Sequence, residues 1–285
     1  MKGNSILKLA VNAYYAYEDM RVGLGNRMKK KKDGSDQIIP ESQKDGWSMT
    51  QRDLDMFKGL YKNARNQEAV IFKYLKGLLP SFRIWTEWLK NVKGVGVMMG
   101  SVIIAVYNID IATTISKLWQ YTGLNPGMVR GKKRIPKHRY KKKDGEIIKE
   151  IVKRDKSVDY IVLTNDMVRG DETTDGYIRP YNAWARAKMV GVLGPSFMTS
   201  HSPYAKYFYD KRTQLENSSE EVRERIGNGK VKMVQWKDAR PDHRRKAAMR
   251  YMIKMFLKDL YVAWRTLEGL EVRAPYQEEY LGHTH

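Results

Sequence analysis

Apolar positions recur at helical spacing through both ends of the chain. Over residues 4–28, Leu7, Val11, Tyr14 and Tyr15 mark one face, and over 50–79 Leu54, Phe57, Tyr61 and Ala64 mark another. The connection between them, KKKKDGSDQIIPESQKDGW, is polar and rich in turn residues. Two long helices so joined are predicted to pack antiparallel, as a hairpin within one chain or as a coiled coil between two. A homodimer through this arm is therefore one expected partnership, and a plain helical subdomain is the alternative. Pro80 ends the region, and SFRIWTEWLKNV predicts a short helix after it.

The next segment, NVKGVGVMMGSVIIAVYN (91–108), is the most apolar in the chain. A bilayer span needs roughly 20 apolar residues, and this one is interrupted by glycines, Ser101 and Asn108. It predicts a buried helix after a glycine turn, and no membrane partner. Farther on, Thr114 is placed to cap a helix ending at Tyr121, with Gly123 closing it in the left-handed conformation. The pattern then breaks. RGKKRIPKHRYKKK (130–143) holds nine lysines and arginines and no acid, and Asp144-Gly145 precedes the β-branched run EIIKEIVK. Asp-Gly between such flanks signals a β-hairpin, so residues 127–178 read as an inserted basic tongue with a hairpin and a short strand, DYIVL.

Helix is predicted again from Pro180 to Leu193. Ser202-Pro203 should cap and open another helix, ending near Gly227. The last helix should run from Pro241 to Leu267, with Ile253, Leu257, Leu260, Trp264 and Leu267 on one core face. The expected class is mainly α: a helical hairpin or coiled-coil arm over 1–84, then a helix-hairpin-helix domain over 85–285 carrying the tongue as an insertion.

Charge changes the picture from fold to partner. Fifty-three basic against 32 acidic residues leave +21, more than solubility requires, which points to a polyanion. Nucleic acid is the first expectation, DNA ahead of RNA, and an anionic membrane surface the runner-up. The chain has no cysteine, which excludes disulfides, thiolate metal sites and a cysteine nucleophile and fits a reducing compartment. No signal peptide is read at the N-terminus, and a cytoplasmic location is expected, with the nucleoid implied if the partner is DNA. In the last helix Arg240, Arg244, Arg245, Lys246, Arg250 and Lys254 crowd the N-terminal half. A helix dipole disfavours cations there unless something anionic is near.

The glycine turn is the most specific motif. Two short helices joined by a hydrophobic-Gly-hydrophobic-Gly turn make a helix-hairpin-helix, whose amides and second-helix N-terminus can hold a phosphate oxygen. Here Trp85 to Val92 would be the first helix, Lys93-Gly94-Val95-Gly96 the turn and Val97 to Tyr107 the second helix, with Gly100 four residues after Gly96. Such contacts hold backbone rather than bases. The nucleic-acid-binding residues expected from sequence are Lys93, Gly94, Val95 and Gly96; Arg130, Lys132, Lys133, Arg134, Lys137, Arg139, Lys141, Lys142 and Lys143; and Arg244, Arg245, Lys246 and Arg250.

This order of pieces resembles the C-terminal domain of the insertion-sequence transposases known as DEDD or bridge-RNA-guided recombinases. The resemblance rests on Gly94-Val95-Gly96, Asp110-Ile111, Ser116-Lys117-Leu118, Tyr121-Thr122-Gly123-Leu124-Asn125-Pro126, Asn182, the Ser202-Pro203-Tyr204 helix and the helix from His243-Arg244-Arg245-Lys246 to Leu257. It covers about residues 85–268 without the tongue, and the preceding helices are similar to the family's coiled-coil linker. It implies a transposase-like, nucleic-acid-binding helical domain.

The departures limit what chemistry it implies. The family places a RuvC-like nuclease fold with four magnesium-binding carboxylates before the coiled coil. The early acids here, Glu18, Asp19, Asp33 and Asp36, are read on a helix or charged loop. The family's catalytic serine follows the Gly-Leu-x-Pro segment, where this chain has Gly127-Met128-Val129-Arg130-Gly131. No catalytic residue, metal ligand or cofactor is therefore assigned. Ser196, Ser200 and Ser202 cluster with His201, but helix capping is the simpler reading. His283 and His285 lack a third ligand, and GNGK (227–230) lacks the strand and hydroxyl of a phosphate loop. Among aromatics that could stack on bases, Trp47, Trp184 and Trp236 lie outside an apolar stripe, whereas Trp119 and Trp264 sit at core spacing. The expected function is non-catalytic nucleic-acid binding. The alternatives are an active recombinase completed by a partner's carboxylates, and a structural protein that organises a genome or RNA.

Overall fold

The computed structural model describes residues 3–27, 50–135, 138–143, 146–151, 160–226 and 230–273. Lys137, Trp47, most of the connection between the first two helices with Asp33 and Asp36, the Asp144-Gly145 turn, residues 227–229 and the terminal histidines lie outside these. The fold is mainly helical, and the chain divides into two compact units, Met1–Asn108 and Ile109–His285. The division falls later than the 84/85 boundary read from sequence.

In the first unit α1 (Gly3–Arg27) and α2 (Gln51–Leu78) pack on each other. The pairing is antiparallel: Arg21 bonds the buried Glu68, while Gly25, later in α1, lies against Tyr61, earlier in α2. Thr50 and Asp53 close a reciprocal capping box at the start of α2. Leu7, Val11 and Leu24 of α1 and Ala64 and Leu75 of α2 are buried. The apolar helix α4 (Val97–Val106) packs against both, and Met99 through Ala105 are all buried. A helix apolar on every side can only be accommodated inside a core, and here α1 and α2 supply it.

The expected helix over Trp85–Val92 is instead two pieces. α3 (Arg83–Glu87) ends at Trp88, whose φ of −133° and ψ of −61° leave the helical region, and a 3₁₀ turn follows over Leu89–Asn91. Ile84 and Leu89 are both buried, yet five residues apart on a straight helix they would point about 140° apart. The break turns Leu89 back inward.

The second unit is built on α9 (Pro241–Leu267), which matches its predicted span. Ile253, Leu257 and Leu260 are 0% exposed and Trp264 3%. α5 (Ile115–Tyr121) docks through Trp119, whose indole donates to the Lys254 carbonyl at 3.1 Å. Gly123, at φ +68°, and Leu124 close α5 by donating to Gln120 and Trp119. Buried Arg265 of α9 donates to the carbonyls of Ile109 and Ala112 at 3.0 and 3.1 Å, tying down the segment before α5.

Three sequence readings change here. Helix begins at α6 (Ala183–Lys188), three residues after Pro180, because Asn182 caps it, accepting from the Ala185 amide at 3.0 Å. It then continues past Leu193 through a π-helical turn (Met189–Leu193) into α7 (Gly194–Thr199). Ser202 does not cap the following helix: its hydroxyl is buried without a hydrogen-bond partner, while its amide and that of His201 close α7 by donating to Phe197 and Met198. The next helix, α8 (Ala205–Glu216), stops well short of Gly227.

Among its described residues the tongue contains four strands. β1 (Met128–Ile135) pairs antiparallel with β4 (Tyr160–Arg169), and β2 (His138–Lys143) with β3 (Glu146–Ile151) in the register Lys143↔Glu146 that an Asp-Gly turn requires. β4 is longer than the DYIVL strand expected. A further hairpin, β5 (Glu221–Arg225) with β6 (Val231–Gln235), occupies part of what was read as helix up to Gly227.

Candidate nucleic-acid interface

The first candidate feature lies in the unit of α1–α4. The Val95 amide donates to the Val92 carbonyl at 2.9 Å, closing a turn in which Gly94 has φ +98°. L-residues with a Cβ rarely adopt that value. Lys93 at the apex is exposed, Val95 is buried, and Gly96 is the exposed N-cap of α4 with extended backbone. No side chain caps α4, so its first amides, Val97 to Met99, point outward from the helix end without intrahelical acceptors.

The glycines differ in what requires them. Gly100 is needed for packing: a Cβ there would stand 2.7 Å from Trp85 Cε3, so its absence lets α4 lie against α3. Gly94 is needed for its φ. Gly96 has neither reason, since its conformation is ordinary and nothing lies within 4 Å of where a Cβ would be.

The second feature is the β1–β4 ribbon of the other unit. Its base is held by the Gly170 amide donating to Gly127 O at 2.8 Å, and by Ile178 donating to Lys132 O at 2.6 Å. At Gly131 the register shifts and the Tyr177 ring covers the strand. Lys133 is committed within the protein: its Nζ lies 3.4 Å from Asp166 and 4.4 Å over the Tyr177 ring, while Tyr177 donates to Asp166 at 2.6 Å. Arg130, Lys132 and Arg134 are exposed at alternate positions of β1. Arg130 and Lys132 meet no carboxylate among the described residues. Arg139, Lys141, Lys142 and Lys143 fall on β2 by backbone position.

The third feature, the start of α9, is not the uniform cationic face that its sequence suggested. The anion that a helix N-terminus with so many cations calls for is Glu224 of β5, 1% exposed. It accepts from the Arg240 amide at 2.8 Å and guanidinium at 3.2 Å, with Lys232 at 3.7 Å. Arg244 turns inward, its Nη1 donating to the carbonyls of Lys237 and Ala239 at 2.7 and 2.5 Å. Lys246 pairs with Asp242 at 2.7 Å, and Lys254 lies 4.3 Å over the Trp119 ring. Of the expected α9 set, Arg244 is a structural clamp, Lys246 is exposed but paired, and Arg245 and Arg250 make no hydrogen bond or ion pair among the described residues.

The Arg240 amide, then its guanidinium and Lys232, hold the Glu224 carboxyl below its ordinary 4.5, with burial opposing. A depressed folded value means that the stabilisation is complete above the ordinary value and is lost as pH falls through the folded one. Glu224→Gln should therefore lower the melting temperature at pH 7 and flatten its decline on acidification, as read by thermal melts across pH 3–7 in roughly half-unit steps.

The Ser196, Ser200, Ser202 and His201 cluster is the C-terminal closure of α7, with His201 at φ 51° in the position glycine more often takes. Among the other aromatics considered for stacking, Trp184 is half-buried with Lys188 at 5.6 Å, and Trp236 packs 5.0 Å from His243. Among the described residues no helix is long and apolar enough to cross a membrane, and no group of three or more metal-ligating side chains occurs.

No family model, curated protein or solved structure matches this chain.

Proposed function

We propose that the protein binds nucleic acid, DNA in preference to RNA, largely by its phosphate backbone and without a catalytic step of its own. It would be a relative of the transposase domain it resembles in sequence. The observation that carries this reading is the β1–β4 ribbon. A two-stranded ribbon has no core of its own, and this one presents Arg130 and Lys132 exposed on β1 without a carboxylate partner among the described residues, while Lys133 between them and Arg134 is paired with Asp166. Two-stranded ribbons fit a DNA major groove, and unneutralised cations on one gain by displacing counterions from phosphates. The Gly94–Gly96 turn supports the reading independently, because Gly96 has no packing or backbone requirement and stands before uncapped helix amides. A phosphate oxygen is the acceptor that such an end takes most readily.

Fluorescence anisotropy with labelled duplex DNA in low salt tests the reading: no detectable binding, or binding indifferent to salt, would refute it. Gly96→Asp tests the turn. Aspartate is a better N-cap than glycine by a few tenths of a kcal/mol, so the variant should fold at least as stably. Its carboxylate would occupy and repel the phosphate position, so affinity should drop about tenfold. Unchanged affinity would remove the turn from the interface. Incubation with magnesium and supercoiled DNA separates a binder from a recombinase, since nicking or covalent attachment that survives denaturation would assign the protein to the latter.

A further inference from the structure

Within the second unit, Arg169 at the end of β4 and Arg186 on α6 both bond Asp171. Helix α9 packs against the π-helical turn that continues α6, with Met249 against Gly194, which brings the next residue of α9, Arg250, within reach of the charges of Arg186, Asp171, Arg169 and Glu172. Arg169 uses the acids. Its Nε and Nη2 donate to Asp171 Oδ1 and Oδ2 at 3.1 and 3.3 Å, and Glu172 lies 3.5 Å from Nε.

Arg186 is held in place rather than neutralised. One Nη1 bond goes to the Asp171 backbone carbonyl at 2.6 Å, and the guanidinium sits 4.9 Å from the Tyr181 ring centroid. Gly123 makes this possible, since a Cβ there would stand 2.6 Å from Tyr181 Cγ and 3.0 Å from Arg186 Nη1. Of the five N–H donors of a guanidinium, most of those on Arg186 remain unused among the described residues.

Arg250 is half-buried and makes no hydrogen bond or ion pair among the described residues. The charge bearing on it most strongly is the like charge of Arg186, with Asp171 opposing. Three guanidiniums therefore face two carboxylates that are both engaged by Arg169. A half-buried cation beside a second cation, with no bonded acid, is costly to keep in a fold. Its retention calls for an anion supplied from outside.

We propose that Arg186 and Arg250 form a binding site for a phosphate group, occupied by a backbone or terminal phosphate of the bound nucleic acid. Phosphate suits the site because two planar guanidiniums can donate in pairs to its several oxygens. Tyr181 and the Asp171 carbonyl preorganise one of them. Identification of the ligand as nucleic acid rests on the function proposed above, but the site's affinity for phosphate does not.

The full chain, wild type and Arg250→Met, should be melted in chloride and in pyrophosphate at matched ionic strength. The wild type should gain about 3 °C in pyrophosphate at several times its dissociation constant. Arg250→Met should gain nothing from pyrophosphate and should melt about 2 °C above the wild type in chloride, because it removes an unpaired charge from a partly buried position. A variant that melts below the wild type in both media, or one that keeps the pyrophosphate gain, overturns the proposal. Duplexes with and without 5′-phosphates then distinguish the source. Loss of about 0.9 in salt slope on both duplexes assigns a backbone phosphate, and an effect confined to the phosphorylated duplex assigns a terminal one. A pyrophosphate gain that needs Arg250, with duplex binding intact in the variant, would overturn the nucleic-acid assignment of the site. Absence of duplex binding by the wild type alongside that gain would instead refute the proposed function.

Discussion

Raising monovalent salt from about 50 to 200 mM should weaken duplex binding by about a thousandfold or more, the loss expected for a protein that neutralises at least about six phosphates. Replacing Arg130 and Lys132 together with glutamine should remove about 1.8 from the slope of log affinity against log salt, at about 0.9 per phosphate contact. Both residues are exposed on one strand and are not needed to hold it, since the ribbon's base is fastened by backbone bonds at Gly127, Gly170 and Ile178 and by the Tyr177–Asp166–Lys133 group. The variant should therefore melt with the wild type, which separates lost contacts from lost structure. Lys133→Gln should behave in the opposite way: it should disturb the ribbon base through Asp166 and Tyr177 while changing the slope less than Lys132→Gln. Binding titrations at four or more salt concentrations read both effects, and equal slopes for the double variant and wild type would exclude the ribbon from the interface.

Gly100→Val should destabilise the chain by about 3 kcal/mol, the upper part of the range for overpacking a filled core. The added Cβ would stand 2.7 Å from Cε3 of Trp85, a rigid ring on a short helix, and Gly100 itself is buried among Met99, Ser101 and Val102. Neither partner can yield without moving α3 away from α4. Trp85→Leu in the same chain should recover part of the loss, because it takes away the ring that collides. Denaturant melts of the two single variants and the double variant measure this coupling. Strictly additive losses would mean that the two residues do not meet as described.

The long helices α1, α2 and α9 and the apolar α4 were apparent from apolar spacing, because each buries a stripe or a whole surface that a 3.6-residue period reveals. The β5–β6 hairpin was misread as helix because its strands carry charges on both sides and its one fully buried side chain among the described ones is Glu224, which no hydropathy pattern marks as inward. The Asn228-Gly229 pair in the sequence is a hairpin signal that could have corrected it. β4 runs on through Thr164, Asn165 and Asp166, polar residues that look like the end of a strand. Thr164 and Asp166 are used instead to bond Gly131 and to hold Tyr177 and Lys133. Arg186 was passed over because a single arginine in a short helix carries no pattern; Tyr181 and Gly123, which position it, lie at unrelated distances along the chain.

Sequence alone was enough to establish the excess of positive charge, the main helices and the glycine turn, since these depend on composition and on contacts within a few residues. It could not establish which cations remain available to a ligand. Arg244 and Arg250 look alike on one helix, yet the first is spent on the carbonyls of Lys237 and Ala239 and the second has no bonded partner among the described residues. Arg240 and Arg130 look alike too, but only Arg240 finds a buried carboxylate, brought to it by the β5–β6 hairpin. Whether a charge is neutralised depends on groups within a few ångströms, and those groups are set by how distant segments pack.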